Sequence, residues 1–312
     1  MRTEVTITLP ERFSDNFGEP IQHIFNLLIQ LNSAVFQRNF TLDYGNAKFT
    51  HPFYSLALPL IKKKFERKGY NIQISSVFEK ANVSDYMSRI GFPLGVDPEN
   101  IPQQQLGDYL MQFQDKSYLP IINFPTGSST QVAEIRDKFL SALNNLIAKQ
   151  CGLSGSIKTA VMYLIDEAVN NILHHANDDK GYLLAQFYRS KGYIDIAIGD
   201  IGRTLLESYQ NFDKYKNEVT SHLLAMEAAL AGKSTKSNNV DRGYGISTSK
   251  KMLVDGINGK YFLFSGNVFT IHTSETENIV ELPDQTFWQG VLLLMRIPTV
   301  ASSIFNYVDY LE

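Results

Sequence analysis

The sequence predicts a mixed α/β (α+β) chain in two parts: a small N-terminal α/β domain over residues 1–125 and a C-terminal two-layer α/β sandwich over 126–312. Two observations carry this reading. Alternating apolar segments and helix-period segments succeed one another from the first residues, the pattern of stacked strands and helices. A stretch at 95–130 rich in Pro, Gln, Gly and Ser, including PQQQLGDYL and FPTGSS, then separates them from a second such set.

In the first part, Val5, Ile7 and Leu9 alternate as a strand over 4–9, and Ile21, Ile24, Phe25, Leu28 and Ile29 recur at helical spacing over 20–32. FTLDY (40–44) reads as a strand. Residues 53–68 read as a helix with Leu56, Leu60, Ile61 and Phe65 inward, its IKKKFERK run (61–68) forming a solvated face. Gly69 ends that helix, and YNIQISSVF (70–78) alternates again as a strand. In the second part a helix at about 131–150 leads through GLSGS (152–156) into a further helix, with Ser154 or Ser156 as its N-cap. Ile157, Val161, Leu164, Ile165, Ala168 and Ile172 form the apolar stripe of that helix. YIDIAIGD (193–200), KYFLFSG (260–266), VFTIHT (268–273) and VLLLMRI (291–297) read as strands.

A net charge of −3 gives no electrostatic basis for nucleic acid or an anionic membrane as a main partner. The single cysteine, Cys151, excludes an intramolecular disulfide or a cysteine metal cage. MRTEVTITLPERF lacks a signal-peptide core, and the longest apolar run, VLLLM (291–295), is far too short to span a bilayer. A cytoplasmic protein without membrane contact is the expectation.

The most informative segment is DEAVNNILHHA (166–176), which sets Glu167, Asn171 and His175 four residues apart. Such steps advance about 40° on a helix, so the three side chains form one polar ridge. The ridge lies on the shoulder of the apolar stripe, which suits a cleft wall. An amide oxygen can ligate Mg²⁺ while a carboxylate one turn away orients or deprotonates a nucleophile. In YIDIAIGD, Asp200 ends the core-facing parity of a strand, and a carboxylate there requires a partner. Gly202 follows it, and DRGYGIS (241–247) sets Gly243 and Gly245 before a helical stretch, where backbone N–H groups can meet phosphate. The intervening AGKSTKSNNVD (231–241) is small and polar, as a lid over a ligand would be. Its GKST is similar to a P-loop only superficially, because Glu227 stands five residues before Gly232 and a helical pattern precedes it. His174–His175 reads as a helix-end feature.

These three blocks, in this order over roughly 130–300, resemble the N box and the two glycine boxes of the GHKL (Bergerat-type, histidine kinase-like) ATPase superfamily. Within it, EAVNNILHH is most similar to the serine kinases of anti-sigma-factor switches. The resemblance implies Mg·ATP binding, with Asn171 as metal ligand, Asp200 accepting from the adenine amine, and Gly202 admitting the base. It further implies Gly243 and Gly245 at the phosphates, with His175 and Arg242 as further nucleotide contacts. Glu167 would activate water or a substrate hydroxyl. Two positions depart from the family pattern: Thr204 stands at the second glycine of D-x-G-x-G, and Val291 replaces the threonine of the closing Gly-Thr strand. Residues 42–74 are also similar to a STAS domain, the anti-anti-sigma-factor fold. Thr50 and Ser55 are then the nearest phosphorylatable hydroxyls, although THPFY (50–54) replaces the usual Asp-Ser-Ser-Gly-like loop. The implied function is an ATP-binding regulatory protein, a protein serine/threonine kinase or slow ATPase. The alternative is a non-catalytic, nucleotide-gated interaction module. ATP or ADP, a regulatory protein and a second copy of the chain are the partners this admits.

Overall fold

The computed structural model describes residues 4–34, 36–75, 81–102, 104–127, 129–235, 245–300 and 305–311. The alternating segments of the first part pair in parallel, with β1 (Val5–Thr8), β2 (Asn39–Asp43) and β3 (Asn71–Ser75) side by side in that order. Parallel neighbours need crossovers, and the helices α1 (Glu19–Ser33) and α2 (Pro52–Arg67) supply them. From Pro52 to Ile61 every residue of α2 is buried, the mark of a helix enclosed on all sides.

What encloses α2 is a second sheet. After α3 (Ala81–Arg89) and α4 (Leu106–Met111), the chain lays down β4 (Ile122–Pro125), β5 (Lys180–Tyr188), β6 (Tyr193–Gly199), β7 (Lys260–Gly266), β8 (Val268–His272), β9 (Glu277–Glu281) and β10 (Trp288–Pro298). These form one antiparallel sheet in the order β4-β5-β6-β10-β7-β8-β9. Its faces divide by strand parity. Ile194, Ile196, Ile198, Leu263, Leu293 and Met295 point to a front core shared with α5 (Thr130–Cys151) and α6 (Gly155–His175). Ala197, Phe262, Phe264, Leu292 and Leu294 point to a back core shared with α1, α2 and the small sheet. The helices α7 (Leu205–Gln210), α8 (His222–Leu230) and α9 (Gly245–Lys251) complete the front.

The sequence predicts a two-layer C-terminal unit beside a separate small one, and the structure differs. The seven-stranded sheet carries helices on both faces, because the apolar surface of α2 is too wide for the three-stranded sheet alone to cover. β4, just before the expected division at 125/126, is an edge strand of the large sheet. The basic run of α2 is also not a wholly solvated face. Lys64 is 3% exposed and donates to the Phe287 carbonyl, and burial, with Lys68 nearby, pulls its pKa down to about 7. Lys63 reaches the Tyr182 hydroxyl at 2.8 Å, and Arg67 grips Asp178 at 2.7 and 3.2 Å. Thr50 and Ser55, the nearest phosphorylatable hydroxyls under the STAS resemblance, are buried and bonded to each other. Thr50 also bonds the Tyr44 hydroxyl at 2.5 Å. Their place is at the start of α2, where Pro52 turns the chain into the core rather than out to solvent.

Among the described residues, no helix is long and apolar enough to cross a membrane.

Candidate functional site

A single front-face cleft gathers residues from distant parts of the chain. It encloses about 980 Å³ of empty space including its open mouth. One wall is α6, whose Glu167, Asn171 and His175 all face it from successive turns. The floor is the centre of the sheet, with Ile198, Leu263, Leu293 and Tyr261. Gly245, Ile246 and Ser249 of α9 stand opposite α6, and Arg203, Ser208, Tyr209 and Gly232 to Thr235 close the remaining side.

Asp200 lies at one end. Its side chain is 1% exposed, and the Gly202 N–H donates to its Oδ1 at 2.8 Å. Burial pushes its pKa up to about 8, opposed by that N–H and reinforced by the nearby charge of Asp178. The carboxyl is held by backbone on two strands. Its own N–H donates to Val291 O at 2.9 Å, and Gly290, at φ +80°, packs so closely that a Cβ would stand 2.4 Å from Asp200 Oδ1. Glycine at 290 is therefore required both by conformation and by space. The ladder between β10 and β7 slips here between Trp288 and Leu292, and that irregularity brings Gly290 and Val291 against the aspartate.

Glu167 and Asn171 mark the other end, two turns back along α6. A Cβ on Gly245 would stand 2.9 Å from Glu167 Oε1 and 3.6 Å from both polar atoms of the Asn171 amide. The absent side chain thus keeps the space between α9 and the Glu–Asn pair open. His175, at the helix end as expected, lies between the two ends, with Nδ1 3.2 Å from the Thr235 hydroxyl.

The remaining site residues fall elsewhere. Gly202 does not line the cleft. A Cβ there would sit 2.0 Å from Ala176 O, so the close approach it permits is to the end of α6 and not to a base. Arg203 N–H completes that contact, donating to Ala176 O at 2.6 Å. Thr204, the departure from D-x-G-x-G, is the N-cap of α7. Its hydroxyl accepts from Glu207 N while Glu207 Oε2 accepts from Thr204 N at 2.6 Å, a capping box that turns the chain directly into a helix. Val291 lines the cleft beside Asp200. Arg242 and Gly243 lie outside the described residues.

Several residues escaped the sequence reading. Gln289 Nε2 donates to Gly202 O at 2.6 Å, and Ser265 Oγ links Gly290 O (2.7 Å) to Leu205 N (2.9 Å), so both fix the Asp200 loop. Lys233, Ser234 and Thr235 were expected over the ligand as part of the 231–241 segment, and they line the cleft, with α8 and not a strand before them. Arg203 lines it too. Its signal was present as the basic residue of DIGRT, directly after the glycine of the aspartate loop. The whole is an apolar slot with an isolated buried acid at one end and a Glu–Asn pair at the other, flanked by two cations.

Among the described residues, no group of three His, Cys, Asp or Glu side chains could hold a metal on its own. The donor set does fit an ion that arrives on a ligand. Mg²⁺ keeps several waters and takes one or two protein oxygens beside phosphates, which the Asn171 amide with Glu167 adjoining can supply.

No protein-family profile matches the chain, no curated protein matches it, and no solved structure matches it.

Proposed function

We propose that the front cleft binds Mg·ATP and that the protein is a GHKL-type ATP-binding regulator acting as a protein serine/threonine kinase or slow ATPase. One observation carries this reading: Glu167, Asn171, His175, Asp200 and Gly245, drawn from three separate sequence blocks, line the same cleft. The adenine amine would donate to Asp200 and the ring would lie on the Ile198–Leu293 floor. The ionised carboxylate is the stronger acceptor from an amine, so nucleotide binding would favour loss of the proton that burial retains. Asn171 would hold the metal, which supplies charge neutralisation at the phosphates. Glu167 would orient a water or a hydroxyl and take up its proton as the new bond to the γ-phosphorus forms and the bond from that phosphorus to the departing ADP oxygen breaks. Lys233, which lines the cleft, would offset phosphate charge from the open side.

Calorimetry on Asn171→Ala tests the assignment. Weakened Mg·ATP binding with an unchanged melting temperature is expected, and wild-type affinity would remove Asn171 from the site.

A nucleotide-gated module with negligible catalysis is the second reading, and the back-face contacts favour it. Arg67 of α2 holds Asp178, whose charge bears on Asp200, and Leu60 of α2 would stand 3.3 Å from a Cβ on Gly199, the residue before Asp200. Occupancy at Asp200 would thus be felt by the N-terminal layers. Incubation with Mg²⁺ and γ-labelled ATP separates the two. Released phosphate or a labelled Ser or Thr supports catalysis, and tight binding with neither supports gating.

A further inference from the structure

Ser249 stands one turn beyond Gly245 in α9 and lines the same cleft. It is 5% exposed, and its Oγ is buried with no hydrogen-bond partner among the described residues. A serine within a helix ordinarily bonds back to the carbonyl one turn earlier or turns out to water. Ser249 does neither, so the folded chain bears the desolvation of a hydroxyl that alanine would avoid. Among the described residues nothing calls for the oxygen, and the cleft that Ser249 lines also presents the apolar surface of Ile246, Leu263 and Leu293. A polar atom that is satisfied only by something entering the cleft accounts for it.

Its position narrows what that something is. Residues four apart share one ridge of a helix, so Ser249 lies on the face of α9 that Gly245 turns towards Glu167 and Asn171. Tyr261, its neighbour on the floor, is close enough to Glu167 for that carboxylate to help hold the phenol above its ordinary pKa, behind the larger effect of burial. Asp200 is remote from this corner. Its loop abuts Ala176, nine residues and about 13 Å along α6 from Glu167. Ser249 therefore serves the metal-and-carboxylate end and not the base end. At that end the ligand atoms are phosphoryl oxygens, which accept hydrogen bonds and cannot donate them. The carboxylate of Glu167 would repel them unless donors stand nearby.

Building on the nucleotide reading, we propose that Ser249 is a ligand-contacting residue whose hydroxyl donates to a terminal phosphoryl oxygen of bound ATP. It distinguishes ATP from ADP, because only the triphosphate carries an oxygen that far along the cleft.

The full chain with Ser249→Ala, set against wild type, tests this by titration with Mg·ATP and Mg·ADP and by thermal melting without nucleotide. The variant should bind ATP roughly 10- to 150-fold more weakly, as for one lost hydrogen bond to a charged group, with ADP changed less than about twofold. Its melting temperature should be equal to or above that of wild type. Wild-type ATP affinity in the variant would overturn the proposal and leave the nucleotide reading intact. Equal weakening of ATP and ADP together with a lower melting temperature would also overturn it, by showing a packing role. If the wild type itself binds neither nucleotide, the nucleotide reading fails and this proposal falls with it.

Discussion

Asp195 and Asp200 lie five residues apart on one strand and its extension, are both buried, and live in opposite circumstances. Asp195, on the back face, is 0% exposed and fully partnered. Arg296 donates to both of its oxygens at 2.8 Å, and His51 Nε2 stands 3.2 Å away. Asp200, on the front face, has backbone partners only, Gly202 foremost, and a pKa pushed up to about 8 by burial. The first is a pin. Arg296 further reaches Asp15 O at 3.0 Å, and His51 caps α2, so one carboxylate ties the N-terminal layers to the large sheet. On the proposed nucleotide reading the second is an unfinished site, because a lone buried acid costs stability unless a ligand supplies its partner. Strand and burial are shared; the presence or absence of a cationic neighbour separates structure from function here.

The largest way to break this comparison is to make the back face resemble the front. Arg296→Met leaves Asp195 buried with only His51, and should cost about 3–5 kcal/mol in urea denaturation. Adding Asp195→Asn should recover much of that loss, since the double variant no longer buries a lone charge. A single variant as stable as wild type would show that the pin carries no stability.

A smaller effect of opposite sign is expected on the front. Burial pushes the Asp200 pKa in the folded chain up to about 8, whereas in the unfolded chain the carboxyl ionises near its ordinary 3.8. The folded state thus binds the extra proton between those values, and the contribution of Asp200 to stability is full below about pH 4 and declines as pH rises towards 8. Asp200→Asn removes this dependence. It should melt higher than wild type at pH 8, with the gap narrowing towards pH 5. A variant less stable than wild type at pH 8 would contradict the unfinished-site description.

Much of this division was legible in the sequence. The ridge of Glu167, Asn171 and His175 followed from helical spacing, and the placement of Asp200 beside Ile198 followed from strand parity. The back face was not legible. The alternation in YIDIAIG points to its isoleucines, and nothing local marks Asp195, because its partners lie at 51 and 296. Likewise the burial of Lys64 depends on Phe287, which no local pattern announces. β5 was missed because LLAQFY is apolar on both faces, as a central strand under two layers must be. The turn at Thr204 defeated the family pattern for a local reason: with Glu207 three residues on, a capping box was available to start α7.

The central claim is that Asp200 awaits the amine of adenine. Competition between ATP and GTP for the wild-type chain tests it most directly, at pH 6.5 and at pH 8.5. Guanine presents a carbonyl where adenine presents an amine, and a buried carboxylate facing an acceptor should cost on the order of 2–4 kcal/mol, or roughly 30- to 1000-fold in affinity. The preference should be widest at pH 8.5, where Asp200 is ionised, and should shrink at pH 6.5, where a protonated carboxyl can donate to the guanine carbonyl. Because the phosphates of both nucleotides titrate alike, the ratio isolates the base. Equal affinities at pH 8.5 would contradict the account and remove Asp200 from any adenine pocket.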